Sequence, residues 1–110
     1  MAKRIIVWTP TAINQRREIL KYWTKRNGSP RYAQKLVKLT TFRLKIILKH
    51  TEADKKTVYP ETRTSALGHF SILYKITDTE LIVTSFWDNR QDPDKLDKII
   101  RPRLDLDDDD

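Results

Sequence analysis

The sequence predicts an α+β fold: one domain in which a helical hairpin packs on one face of a small, mostly antiparallel sheet. Three observations lead there. A short apolar run, Ile5-Ile6-Val7-Trp8, comes first. Two helical patterns follow, separated only by Asn27-Gly28-Ser29-Pro30. Beyond residue 60 the hydrophobic period changes from helical to that of strands, so the order reads β-α-α-β-β-β.

Each element has its own warrant. Lys3 to Thr9 reads as a strand because its middle is continuously apolar. Thr9-Pro10 starts the first helix, with a hydroxyl to cap free amides and a ring whose φ already suits the first turn. That helix carries Ala12, Ile13, Ile19, Leu20, Tyr22 and Trp23, and Asn27-Gly28 stops it. Ser29-Pro30 repeats the start signal. In the second helix Ala33, Leu36, Val37, Thr40, Leu44, Ile47 and Leu48 form one stripe, while Lys35, Lys38, Lys45 and Lys49 lie largely off it. So short a joint makes the pair an antiparallel hairpin. The polar segment 50–60 is expected as a loop. Strands are expected over 62–67, over 69–76 by strict alternation, and over 81–87 after a tight turn at Asp78-Thr79. Pro93 ends the sheet, and 94–101 has the pattern of one or two helical turns.

Composition bounds the chemistry. At 110 residues the chain holds one core. It has no cysteine, which removes disulfides, thiolate catalysis and cysteine-bound zinc, and two isolated histidines make no metal site. No cofactor is expected. The N-terminal apolar run is too short for a secretory signal, and no run reaches the roughly 18 residues of a membrane span, so a cytoplasmic protein is expected. The net charge of +7 conceals an asymmetry, because five of the last six residues are aspartate. Residues 1–104 are therefore the folded, strongly basic domain, and 105–110 an acidic, disordered tail. Such a domain should meet a polyanion or an acidic protein.

The segment FWDNRQDP, residues 86–93, is more polar than a strand end requires. Trp87 is either core or a contact platform. Asp88 and Arg90, two apart on an extended backbone, point the same way and can pair. That pair either fixes the strand end or presents Arg90, oriented by Asp88 and Asn89, to a partner. Trp87, Asp88, Asn89 and Arg90 are thus the candidate binding residues. Gln91 to Pro93 read as turn chemistry.

Trp8-Thr9 leading into a helix with Ala12, the helical hairpin, HFSILYKI and FWDNRQDP together resemble the RelE/ParE toxins of type II toxin–antitoxin systems, in particular the plasmid-stabilisation branch. The resemblance covers about residues 4 to 98. It implies a β-α-α-β-β-β toxin that arrests growth and is neutralised by a cognate antitoxin in a hetero-oligomer. Two mechanisms are implied within the superfamily: cleavage of ribosome-bound mRNA, or capture of DNA gyrase. Metal-free RNA cleavage needs a base, cations for the phosphorane and an acid for the leaving oxygen. Arg63, His69, Lys75 and Arg90 are the candidates for such a site. However, Ser71 stands where the nucleases often carry arginine, and no Tyr or His follows Arg90. The expectation is therefore a ParE-like toxin that binds gyrase. The alternatives are a ribosome-dependent endoribonuclease and a basic interaction module without toxicity.

Overall fold

The computed structural model describes residues 3–90. The expected turns after Pro93 and the acidic tail lie outside the described residues. Strand β1 (Ile5–Trp8) leads into helix α1 (Pro10–Asn27) and helix α2 (Arg31–Lys49), followed by strands β2 (Lys55–Lys56), β3 (Arg63–Leu67), β4 (Phe70–Ile76) and β5 (Glu80–Asp88). They form one five-stranded sheet in the order β1-β5-β4-β3-β2. The pairs β2–β3, β3–β4 and β4–β5 are antiparallel, whereas β1 runs parallel to β5. This is the α+β architecture expected, with one strand more. β2 falls in the segment read as loop; its two lysines carry no apolar period, and it exists only by pairing with Arg63 and Thr64.

The helix signals work as the residue chemistry requires. Thr9 Oγ1 accepts the Ala12 amide at 3.2 Å, and Pro10 follows as the first helical residue. Gly28 closes α1 at φ 64°, a left-handed turn that a side chain disfavours, and the amides of Gly28 and Ser29 satisfy the carbonyls of Lys25 and Thr24. α2 departs by one position: Pro30 sits at the cap instead of in the first turn, and the Ser29 hydroxyl accepts from Arg31.

Alternation along β4 sets the core. Phe70, Ile72 and Tyr74 face the hairpin, where they meet Ala12, Ile19, Leu36, Leu44 and Ile47, with Leu81, Val83 and Phe86 beside them from β5. Burying each large side chain contributes about 1.5–3 kcal/mol. A register shift between Leu73 and Tyr74, where Ser85 and Val83 are the partners, leaves Thr84 as an extra residue, a bulge in β5. The face turned from the helices carries Ser71, Leu73, Lys75 and Trp87. Leu73 and Trp87 upon it are buried. No helix among the described residues is long and apolar enough to cross a membrane.

Candidate functional site

The site arises from a mismatch in strand length. β1 has four residues and pairs only with Glu80 to Val83, while β5 continues to Asp88. Beyond Val83 the outer edge of β5 has α1 as its neighbour instead of a strand. Asn89 N–H donates to the His69 carbonyl of the β3–β4 turn, so alternation turns the Phe86 and Asp88 amides outward. Gln15 of α1 fills the missing strand's place at one of them. Its Oε1 accepts the Phe86 amide at 2.9 Å and the Ser85 hydroxyl at 2.9 Å.

Between α1 and this edge lies a groove of about 710 Å³. Asn14, Glu18 and Tyr22 line it from one row of α1, and Gln15, Ile19 and Trp23 from the next, each at the i, i+4 spacing of one helix face. Phe86, Trp87, Asp88 and Arg90 form the opposite wall. Arg90 Nε donates to Asp88 Oδ1 at 2.9 Å and Nη2 to Oδ2 at 2.7 Å, a two-pronged pair, and the Arg90 amide also donates to Oδ1. The guanidinium lies 4.7 Å from the centre of the Trp23 ring, which Arg26 approaches from 5.9 Å. Tyr22 and Tyr32 each meet Trp23 edge-on at 5.2 Å. The hydrogen bonds from Arg90 hold the Asp88 carboxyl below the usual carboxylate range, against the opposing effect of its burial. The same bonds raise the Arg90 guanidinium.

The structure gathers some of the expected residues and scatters others. His69, Asp88, Asn89 and Arg90 meet at one end of the sheet; the His69 side chain is exposed, and Asn89 Oδ1 accepts the Ser71 hydroxyl at 2.8 Å. Trp87 is buried, with its side chain on the sheet face opposite Asp88. Arg63 and Lys75 are elsewhere. Lys75 pairs with Ile82 whereas Asp88 pairs with Phe70, so about 17 Å of strand separates Lys75 from the Asp88 end. Arg63 lies on the helix-facing side and donates to the Asp54 carbonyl at 2.6 Å. Beside it the buried Tyr74 hydroxyl donates to Asp54 Oδ2 at 2.6 Å. Burial and that bond push the Tyr74 phenol far above its ordinary range. Arg63 and Tyr74 thus anchor the loop before β2. The four residues proposed for RNA cleavage do not converge on one phosphate-sized position.

Sequence reasoning missed the α1 wall, reading Tyr22 and Trp23 simply as helix core. The available signal was the row Asn14, Glu18, Tyr22, a polar-to-aromatic stripe immediately beside the apolar one.

Comparisons with known proteins bear on the family and the fold. A family model described as "ParE toxin of type II toxin-antitoxin system, parDE" matches residues 6–93. Among solved structures, a chain of the "Chromosomal ParDE TA system from P. aeruginosa" superposes with a TM-score of 0.65 at 20% identity, covering 76% of this chain and 94% of that one. At that identity the likeness speaks for the fold. No curated protein sequence matches the chain. The family match runs from within β1 to beyond the end of β5, and the chain belongs to the ParE toxin family of type II toxin–antitoxin systems.

Proposed function

We propose that this toxin arrests growth by binding DNA gyrase through the α1–β5 groove, without catalysing a reaction, and that a cognate antitoxin neutralises it in a cytoplasmic hetero-oligomer. The observation that carries the reading is the charge of the groove. Among the described residues its walls hold one cation, Arg90, already matched by Asp88, together with Glu18, the amide side chains of Asn14 and Gln15, and apolar or aromatic surface. A site for an RNA backbone needs unmatched positive charge to replace released counterions. A groove that is neutral to acidic, apolar and rimmed by aromatic rings suits a polypeptide segment. The outward Asp88 amide offers such a segment a main-chain bond, and Arg90, with 45% of its side chain exposed, offers it the unoccupied side of its fork.

The test is a pair of assays on the purified protein: gyrase supercoiling and cleavage of ribosome-bound mRNA. Loss of supercoiling with intact mRNA is expected. Cut mRNA with gyrase unaffected would replace the proposal with the endoribonuclease reading, and inactivity in both would favour a non-toxic interaction module.

A further inference from the structure

Helix α2 carries a second feature on its outer side. Its core-facing stripe is Ala33, Leu36, Thr40, Leu44 and Ile47. On the far side Leu39, Phe42 and Ile46 follow one another at spacings of three and four, which places them on one face. They are 43%, 65% and 38% exposed. Leu39 and Ile46 are partly covered and Phe42 is mostly open, so the row keeps apolar surface outside the core. The charge around it is one-sided: α2 has four lysines and two arginines and not one acidic residue. Lys35, Lys38, Lys45 and Lys49 are exposed along the row.

We infer that the outer face of α2 is the docking surface for an acidic amphipathic helix of the antitoxin, whose apolar row lies on Leu39, Phe42 and Ile46 while its carboxylates meet the flanking lysines. The inference rests on the proposed reading of an antitoxin-neutralised toxin. Lys35 to Lys49 spans about 21 Å of helix, room for a partner helix of three to four turns. A second copy of this chain fits poorly, since it would bring lysines against lysines. Nucleic acid would satisfy the lysines and leave Phe42 without a partner. An acidic helix with its own apolar row satisfies both halves of the face. This surface lies apart from the groove, which is lined by α1 and β5.

The experiment titrates the full-length chain with the antitoxin encoded beside it. Wild-type affinity should fall as salt rises, because the lysines steer and orient the encounter. Phe42→Asp should weaken binding by about 30-fold or more, the loss expected of a central aromatic anchor, while Phe42→Leu retains most of it. Lys35→Glu/Lys38→Glu should weaken binding and flatten the salt dependence. Arg17→Glu/Lys21→Glu makes the same change of charge on exposed positions of α1 and should leave affinity unchanged. Circular dichroism checks that each variant folds, as the exposure of these side chains leads one to expect. If the wild type does not bind the antitoxin, it is the reading of a neutralised toxin that fails. If the wild type binds and Phe42→Asp binds equally well, α2 is not the docking surface. Equal losses in the α1 and α2 charge variants would reduce the effect to net charge and overturn the inference. So would a dimer of the free chain that Phe42→Asp dissociates without altering antitoxin affinity.

Discussion

Replacing Arg90 with alanine separates what the Asp88–Arg90 pair does for the fold from what Arg90 does for a partner. Two contacts are lost. The ion pair is two-pronged at 2.9 and 2.7 Å, but the arginine side chain is 45% exposed and the carboxylate 12%, so solvent screening holds its contribution to about 1 kcal/mol. The stacking on Trp23 at 4.7 Å adds about 0.5–1 kcal/mol. Truncation should therefore cost about 1.5–2 kcal/mol, a fall in Tm of roughly 6 to 16 °C for a domain of this size. Asp88→Asn removes the ion pair while leaving the guanidinium on Trp23, and should cost roughly half as much. A double-mutant cycle read by thermal denaturation should give a coupling of about 1 kcal/mol. Supercoiling assays at a temperature where all variants are folded supply the second readout. If Arg90 touches gyrase, Arg90→Ala raises the inhibitory concentration about 30-fold or more, and Asp88→Asn changes it far less. Equal loss of potency in the two variants, or none in Arg90→Ala, would show that the pair only fixes the strand end. A coupling near zero would refute the energetic argument itself.

Three further outcomes follow from the same geometry. Because the folded-state pKa of Asp88 is depressed, its contribution is complete above the unfolded value near pH 4 and is lost as pH falls through the folded value. Tm measured against pH should decline below about pH 4, and Asp88→Asn should flatten that decline; an unchanged profile would contradict the pairing. Tyr74 titrates in the opposite sense: its raised pKa gives stability that is whole below about pH 10 and diminishes above it, where the unfolded chain ionises first. Tyr74→Phe should cost about 1–2 kcal/mol in urea denaturation at neutral pH and abolish this tyrosine's part of the alkaline loss. Equal stability of variant and wild type would mean that the bond to Asp54 contributes nothing net. Gln15→Ala should leave the Phe86 amide without its acceptor, at a cost of about 1–3 kcal/mol, and speed its hydrogen exchange. Gln15→Glu, which keeps an acceptor in place, should restore most of the protection, and slow exchange in the alanine variant would argue against the strand-replacing role.

What the sequence revealed, and what it hid, follows from the range of each interaction. The helix limits were legible because Thr9 and Gly28 act on backbone groups within four residues of themselves. The Asp88–Arg90 pair was legible because the two lie only two residues apart, although Arg90 sits in the turn after β5, where its amide as well as its side chain donates to Asp88, and not on an extended strand. The parallel pairing of β1 with β5 was not, because it joins residues 75 apart and depends on where a pair of helices returns the chain. The failed gathering of Arg63, Lys75 and Arg90 has a related cause. All three lie on or just beyond strands, but which face and which end each takes is fixed by register, with Arg63 opposite Tyr74 and Lys75 opposite Ile82.

The groove proposed as the binding site is the clearest case of a feature arising from such a long-range term. Its residues are ordinary by type: an asparagine, a glutamine, a glutamate, an isoleucine and two aromatics on a helix, and a strand end. They become a site because β1 stops at Trp8 while β5 runs five residues further, leaving an edge that Gln15 covers at only one amide. A β1 long enough to pair with Asp88 would have satisfied that edge and closed it to a partner. Exposed strand edges usually carry charge or a cover that prevents pairing with other chains. Here the cover is partial, and the charge at its end is the neutralised Asp88–Arg90 pair. In the proposed reading the edge is shielded from indiscriminate pairing yet open to a segment that covers Trp23 and uses the free side of the Arg90 fork. That combination is what the proposed binding role requires of the edge: a partner strand or loop finds one outward amide, an aromatic ring and an oriented guanidinium close to each other.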